Sequence, residues 1–280
     1  MTLTVASALL ITPSVGLLAA ELRDVSAERA HLVEEADAAL RADLLDRGTA
    51  PVAGETPSVT ALAGLGIEVL VAERAFHLES GAAELSCEPI SARERERALA
   101  TLTGELMRYP AAFFARARLR RLLLCASLHE GNVAIPSLPN YHGALLIDVD
   151  ADADYLRRLV HHEVFHFADY ADDDQLSSDP AWLALNDRYF VYGSGGRFLR
   201  EPGAGRFSDE MPGFVSRYAA SALEEDKAET FAMRMSAPRK FAALIAVDPI
   251  LRAKSAALES QLRKLSPALD AHFFAAADAR

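Results

Sequence analysis

Residues 157–170 read Arg-Arg-Leu-Val-His-His-Glu-Val-Phe-His-Phe-Ala-Asp-Tyr and contain the pattern His162-Glu163-x-x-His166. Residues four apart on a helix share one face, so the two imidazoles would converge on one metal ion. Glu163 follows His162 directly, and its carboxylate would reach a water molecule on that metal. The same predicted helix has an apolar packing stripe, made of Leu156, Leu159, Val160, Val164 and Phe167. The pattern therefore predicts a helical zinc site with Glu163 as the base.

One other reading of this stretch stays open. The histidines could be ordinary polar residues on a half-exposed helix. His161 cannot form a helical metal pair because residue 165 is Phe. We expect His161 to support a ligand or to contact a backbone carbonyl.

A third protein ligand must come from elsewhere in the chain. Residues 218–235 are predicted to be helical and place Glu225 and Glu229 on one face with Ala222 and Ala232, whose small side chains would allow a close helix contact. On this interpretation Glu225 binds the metal, and Glu229 accepts a hydrogen bond from a ligand histidine. The alternative is a solvent-facing Glu225. Glu224 and Asp226 point elsewhere and are expected to be solvated.

The spacing of these residues resembles a known group of metallopeptidases. His162-Glu163-x-x-His166 is followed by Glu225-x-x-Ala-Glu229, with Tyr218 seven residues before Glu225. The combination is similar to the gluzincins related to anthrax lethal factor, to the Pro-Pro endopeptidases, and to bacterial "putative zinc-binding metallopeptidase" families. The resemblance covers about residues 122–265 and does not cover residues 1–92.

The resemblance implies a role for each matching residue. His162, His166 and Glu225 would hold one zinc ion per chain, and Glu229 and Asp169 would support the ligand histidines. Tyr218 would steady the oxyanion of the tetrahedral intermediate. The implied fold is α+β and zincin-like, with a small mixed sheet, an active-site helix and a mainly helical C-terminal part. Two domains are expected, an extension over residues 1–92 and a metallopeptidase domain over residues 93–280.

The rest of the chain supports this fold class. Strands are expected within residues 66–78, 119–128 and 144–149, and helices over 20–46, 94–107, 152–170, 180–189, 214–235, 238–247 and 248–265. Asp152 and Asp154 are candidate N-caps of the metal helix. The strand at 144–149 is predicted as either the sheet edge above the cleft or a core strand. The glycine-rich stretch 193–213 is either a flap or a plain surface loop, and Trp182, Leu185 and Phe190 are expected in the core.

The composition limits which partners the protein could bind and in which cellular compartment it could be found. The chain has 280 residues, 51% of them hydrophobic, and a net charge of −11, which disfavours nucleic acid as a partner. Residues 1–20 are apolar but lack a basic start and are short for a membrane span. We expect a buried segment of a cytoplasmic protein there, with a secretion signal as the alternative. Two cysteines, Cys87 and Cys125, leave one disulfide undecided.

The sequence thus favours a zinc endopeptidase that acts on a peptide or protein substrate. A zinc-binding regulatory module without catalysis and a zinc hydrolase of non-peptide amides are the alternatives. A serine or cysteine nucleophile is set aside because no Gly-x-Ser-x-Gly turn occurs. Neither the substrate nor the oligomeric state follows from the sequence.

Overall fold

The computed structural model describes residues 15–54, 56–80, 83–195 and 208–279. The chain divides into two compact units, Met1–Asp43 and Leu44–Arg280. The described residues of the first unit belong to a helix, α1, which confirms the helix predicted over residues 20–46. Most of the apolar segment 1–20 and residues 196–207 of the glycine-rich stretch, expected as either a flap or a surface loop, lie outside the described residues. The domain boundary after residue 92 stays a prediction.

The second unit combines one sheet with a series of helices. Its strands are β1 Thr49–Pro51, β2 Glu68–Ala72, β3 Phe76–Ser80, β4 Ala83–Glu88, β5 Arg121–Glu130, β6 Val133–Ala134, β7 Ser137–Asn140 and β8 Ala144–Asp148. Helix α1 spans Val15–Asp46, and the helices of the second unit are α2 Pro57–Gly64, α3 Ala92–Leu106, α4 Ala111–Ala117, α5 Ala153–Asp173, α6 Pro180–Leu183, α7 Leu223–Ser236, α8 Pro238–Val247, α9 Pro249–Leu265 and α10 Ala271–Asp278.

The sheet is mixed and is built around the long strand β5. The first half of β5 pairs in parallel with β2 on one side and β8 on the other. Its second half turns to antiparallel pairing with β4, which pairs in turn with β3. A disulfide joins Cys87 of β4 to Cys125 of β5, so the pairing that the sequence left undecided is present.

The strand at 144–149 is an internal strand, as the core-strand alternative predicted. β8 lies between β5 and β7, and four of its five residues are buried. The edge of this half of the sheet is instead β7, a half-exposed strand that the sequence did not predict. β7 contains Pro139 and directly follows Pro136, and proline is a poor indicator of a strand.

Two predicted helices are shorter than expected. The helix predicted over 180–189 ends at Leu183, where the chain turns into a loop. The helix predicted over 214–235 begins at Leu223, because Ala222 is fully extended at φ −159° and ψ 163°. Residues 219–221 form a single 3-10 turn before it. Tyr218 therefore lies on a loop and not on the helix that carries Glu225.

Helices α5 and α7 form the centre of the second unit. Asp152 caps α5 through the backbone N–H of Tyr155, as predicted, whereas Asp154 lies inside the first turn. The rings of Phe165 on α5 and Phe231 on α7 are 5.4 Å apart between centroids, and Ala232 is fully buried. The small side chains on α7 allow this close contact.

The predicted core residues differ in their burial. Trp182 is buried, whereas Leu185 and Phe190 are partly buried and packed against the core. In the described part of the chain, no helix combines the length and the apolar character needed to cross a membrane.

Candidate metal centre

The two histidines of α5 and the first turn of α7 converge on one point. His162 Nε2 lies 3.0 Å from His166 Nε2 and 3.1 Å from Glu225 Oε2. His166 Nε2 lies 3.6 Å from the same carboxylate oxygen. Both histidines are buried, and Glu225 is nearly so. The described residues contain one such cluster of metal-ligating groups, and it consists of the three predicted ligands.

The triangle fits a zinc ion in size and in chemistry. Ligand atoms on a tetrahedral zinc ion lie about 2.0–2.1 Å from the metal and therefore about 3.3 Å from one another. When both imidazoles are neutral, His162 donates its Nδ1–H in a hydrogen bond to Glu229. Its Nε2 is then an acceptor, and it faces a second acceptor, Glu225 Oε2. Glu225 Oε2 has no hydrogen-bond partner among the described residues. A metal ion would satisfy acceptors placed in this way, and without one a proton on His162 Nε2 does so.

The pKa values of the site residues are shifted because ionisable groups lie close together in a buried place. Burial by itself would raise the pKa of the Glu225 carboxyl, but His162 and His166 outweigh it and hold that pKa well below its usual range. Burial would lower the pKa of His162, but Glu225 and Glu229 outweigh it and raise that pKa to about 10. In the metal-free protein, a proton on His162 thus balances two buried carboxylates.

Glu229 orients His162, as predicted. Its Oε1 accepts the His162 Nδ1–H bond at 3.1 Å, and its Oε2 accepts a bond from Ser216 Oγ at 2.6 Å. Arg158, one helical turn before His162, also donates to Oε2. Sequence reasoning missed Arg158 and Ser216. Position 158 shares a face with His162, which was a signal for Arg158, but no pattern pointed to Ser216.

Asp169 lies on α5 close to the site but makes other contacts than the expected one. Its Oδ1 accepts hydrogen bonds from Lys227 Nζ at 2.7 Å and from Gln261 Nε2 at 2.6 Å. His166 Nδ1 is buried without a partner among the described residues. Support of His166 by Asp169 therefore stays a prediction.

The carboxylate of Glu163 is buried, and one of its two oxygens has a hydrogen-bond partner among the described residues. Its Oε1 accepts a hydrogen bond from Ser137 Oγ of β7 at 2.6 Å. Its Oε2 is buried and has no hydrogen-bond partner among the described residues. Ser137 was not predicted, since the strand that carries it was not recognised. Oε1 of the predicted base is thus fixed by a hydrogen bond, and Oε2 is free to accept a proton.

Tyr218 lies beside the ligands on the loop before the 3-10 turn. Its ring centroid is 6.0 Å from that of His162. Burial, and then the charge of Glu225, raises the pKa of the phenol far above its usual value. The phenol therefore keeps its proton at neutral pH and can donate a hydrogen bond next to the ligands.

His161 faces away from the ligands and does not fill either predicted role. It is fully buried, with Nδ1 2.6 Å from Tyr109 Oη and Nε2 3.0 Å from Glu105 Oε2. These partners belong to α3 and to the turn that follows it. His161 therefore fixes the back of α5, and its partner is a carboxylate rather than a backbone carbonyl.

Asp226 corrects another prediction, because it is fully buried and not solvated. Its Oδ2 accepts hydrogen bonds from Lys254 Nζ at 2.6 Å, Tyr192 Oη at 2.6 Å and Trp182 Nε1 at 2.9 Å. Lys254 also donates to the carbonyl of Gly213 at 2.6 Å. Glu224, expected in solvent as well, is half-buried. Asp226, the residue after Glu225, is thus a structural anchor.

Comparison with known proteins supports the fold. No family model matches the sequence, and no curated protein matches it. The fold is similar to that of a protein from Bacteroides caccae described as a "putative zinc-binding metallo-peptidase". The superposition has a TM-score of 0.52 at 15% sequence identity and covers 81% of this chain and 94% of that chain. At this identity the similarity concerns the fold, and the structure confirms the predicted α+β class with its mixed sheet and mainly helical C-terminal part.

Proposed function

We propose that this chain is a zinc-dependent hydrolase of the gluzincin type, with one zinc ion held by His162, His166 and Glu225. The observation that carries the proposal is the triangle of three buried acceptor atoms, with edges of 3.0, 3.1 and 3.6 Å. Three protein ligands leave a fourth position for water or substrate, which is typical of catalytic zinc. The similar fold of the Bacteroides caccae protein, itself described as zinc-binding, supports the choice of metal.

The residues around the triangle divide the chemistry among them. When bound, zinc supplies a Lewis acid that polarises a carbonyl and makes a neighbouring water more acidic. Glu163 takes the proton of that water at its free Oε2 and passes it to the leaving nitrogen. Tyr218 donates its phenolic proton in a hydrogen bond to the carbonyl oxygen as negative charge develops there. The raised pKa of Tyr218 keeps that proton available.

We infer that the substrate is a peptide or protein chain cleaved within its length. β7 is half-exposed, and β8 is the strand that pairs with it among those described. The other side of β7 could therefore pair with an extended peptide through main-chain hydrogen bonds. Glu163 would lie beside such a peptide, because Ser137 of β7 contacts it directly.

The test is cleavage of a peptide library by the zinc-loaded protein, followed by mass spectrometry. We expect Glu163→Gln to lower turnover by about 10³-fold, because the amide cannot accept a proton, while one zinc ion per chain stays bound. Glu96→Gln makes the same chemical change at an exposed position of α3 and should leave both activity and zinc content unchanged.

Each negative result has a distinct meaning. Retained turnover in Glu163→Gln would refute the assigned base. Zinc binding with turnover of small amides, but not of peptides, would indicate a hydrolase of non-peptide amides. Bound zinc without turnover of either would indicate a regulatory module.

A further inference from the structure

Among the described residues, Ser137 is the side chain that hydrogen-bonds to the carboxylate of the proposed base, Glu163. Its Oγ lies 2.6 Å from Glu163 Oε1, and the two residues are 26 positions apart in the chain. An ionised carboxylate only accepts hydrogen bonds, so the serine hydroxyl must be the donor. A bond of this length to a charged acceptor is among the stronger hydrogen bonds in proteins.

The bond makes the two oxygens of Glu163 different. Oε1 is occupied by the serine, while Oε2 is buried and has no partner among the described residues. A carboxylate without this contact could rotate and present either oxygen. With Oε1 held, Oε2 is the oxygen left free to accept a proton, and the carboxylate need not be reoriented during the reaction.

Ser137 is itself held in place by the sheet. It lies opposite Ile147 in the register of β7 and β8, and the next backbone contact is the Asp148 N–H bond to the carbonyl of Pro136 at 2.9 Å. A serine on a paired strand holds its hydroxyl in a more precisely defined position than a serine on a loop does. The base on α5 is thereby tied to the edge of the sheet.

We propose that Ser137 is a positioning residue that holds Oε1 of Glu163 so that Oε2 alone accepts the proton. The inference rests on the proposed function for its catalytic meaning. A purely structural role, in which the serine only satisfies a buried carboxylate, would affect the stability of the protein and not the proton transfer.

The probe is acetohydroxamate, a small zinc chelator that gives its proton to a carboxylate beside the metal. Its binding to the zinc-loaded protein is measured by calorimetry and needs no knowledge of the substrate. We expect Ser137→Ala to weaken binding about tenfold, because a misplaced Oε2 accepts the proton poorly. Glu163→Gln should weaken binding further.

A matched pair separates the hydroxyl from the shape of the side chain. Ser137→Thr keeps the donor and should bind acetohydroxamate within about threefold of the unaltered protein, whereas Ser137→Val has nearly the same shape without the donor and should match Ser137→Ala. Ser86→Ala, on β4 and separated from β7 by β5 and β8, serves as the control and should change nothing.

Activity adds a second readout once a cleaved peptide is known. Ser137→Ala should lower kcat about tenfold with KM and zinc content unchanged, and Ser137→Thr should restore kcat. The proposal is overturned if Ser137→Val binds acetohydroxamate as tightly as Ser137→Thr, or if KM alone changes. Equal binding to the unaltered protein and to Glu163→Gln overturns it as well. A protein that binds the probe but cleaves no peptide contradicts the proposed peptidase while the comparison of the variants still decides the role of Ser137.

Discussion

Glu229 shows how much of the site depends on one side chain that does not touch the metal position. It accepts hydrogen bonds from His162, Ser216 and Arg158. Burial would raise the pKa of its carboxyl, but His162 and Arg158 outweigh it and lower that pKa. Glu229 therefore stays ionised and fixes which nitrogen of His162 carries the proton.

Glu225 and Glu229 of α7 should respond differently to the same substitution. Glu225→Gln removes a ligand and should weaken zinc binding the most, whereas Glu229→Gln should weaken it about 10–100-fold through the orientation of His162. Zinc affinity by competition with a coloured chelator measures both. An equal loss in the two variants would contradict the division of roles.

Zinc binding should depend strongly on pH. Since the pKa of His162 is raised to about 10 in the metal-free protein, zinc must displace a proton at any lower pH. We expect the affinity to rise about tenfold per unit between about pH 7 and pH 9 and to level off above about pH 10. Chelator competition at three pH values, corrected for chelator protonation, checks the slope. A flat profile would show that His162 is neutral before the metal binds.

The convergence of the proposed ligands was predictable because it depends on spacing within single helices. His162, Glu163, His166, Glu225 and Glu229 lie four residues apart or adjacent, and that distance has a fixed meaning on a helix. Ser137 and Ser216 come from a short edge strand and from a loop. Their contacts depend on tertiary placement, which local patterns do not encode.

At the scale of elements, the junction before α7 is held by a buried ion pair. Lys254 of α9 bonds both Asp226 in the first turn of α7 and the carbonyl of Gly213 on the preceding loop. Asp248, the N-cap of α9, accepts the N–H of Gly213 at 2.6 Å. The loop that carries Tyr218 is therefore fixed at its start by α9.

Lys254→Met should destabilise the protein by about 3–5 kcal/mol, because it leaves the charge of Asp226 buried and unpaired. The double variant Lys254→Met with Asp226→Asn should recover part of this loss, since no uncompensated charge remains. Urea unfolding measures both, and Lys240→Met at an exposed position of α8 is the control. A Lys254→Met protein as stable as the control would contradict the pairing.

Elements were predictable where apolar periodicity was long, as in α5 and α9, and unpredictable at their ends. A helix was predicted over residues 214–222 as well, yet Phe214 and Ala220 pack in a separate apolar cluster, and no α-helix forms there. Similarly, Asp226 reads as a surface residue because its partners are distant in sequence. Tertiary contacts decided both cases.

At the scale of the whole molecule, the disulfide links the antiparallel part of the sheet to the end of its parallel part. Cys87 lies at the register shift of β4, and Cys125 lies where β5 ends its parallel pairing. Disulfides persist in oxidising compartments, which favours the secreted alternative over the cytoplasmic one. The localisation itself stays a prediction.

Denatured protein prepared without reductant should show no reactive thiols. The same protein should show two reactive thiols after reduction. The variant Cys87→Ala with Cys125→Ala should lose about 3–4 kcal/mol of stability, because the bridge spans 38 residues of sequence. Thiol titration and urea unfolding measure these effects. Two free thiols in the unreduced protein would contradict the bridge.

The neighbours His161 and His162 point to opposite sides of α5, and this has a consequence for how the protein would take up its ion. His161 clamps the helix to Glu105 and Tyr109 independently of any metal. The ligand atoms already stand at coordination distances from one another. Binding of the proposed zinc ion should therefore cost little conformational entropy, and removing the ion should leave the chain folded, unlike a zinc finger, which unfolds without its metal.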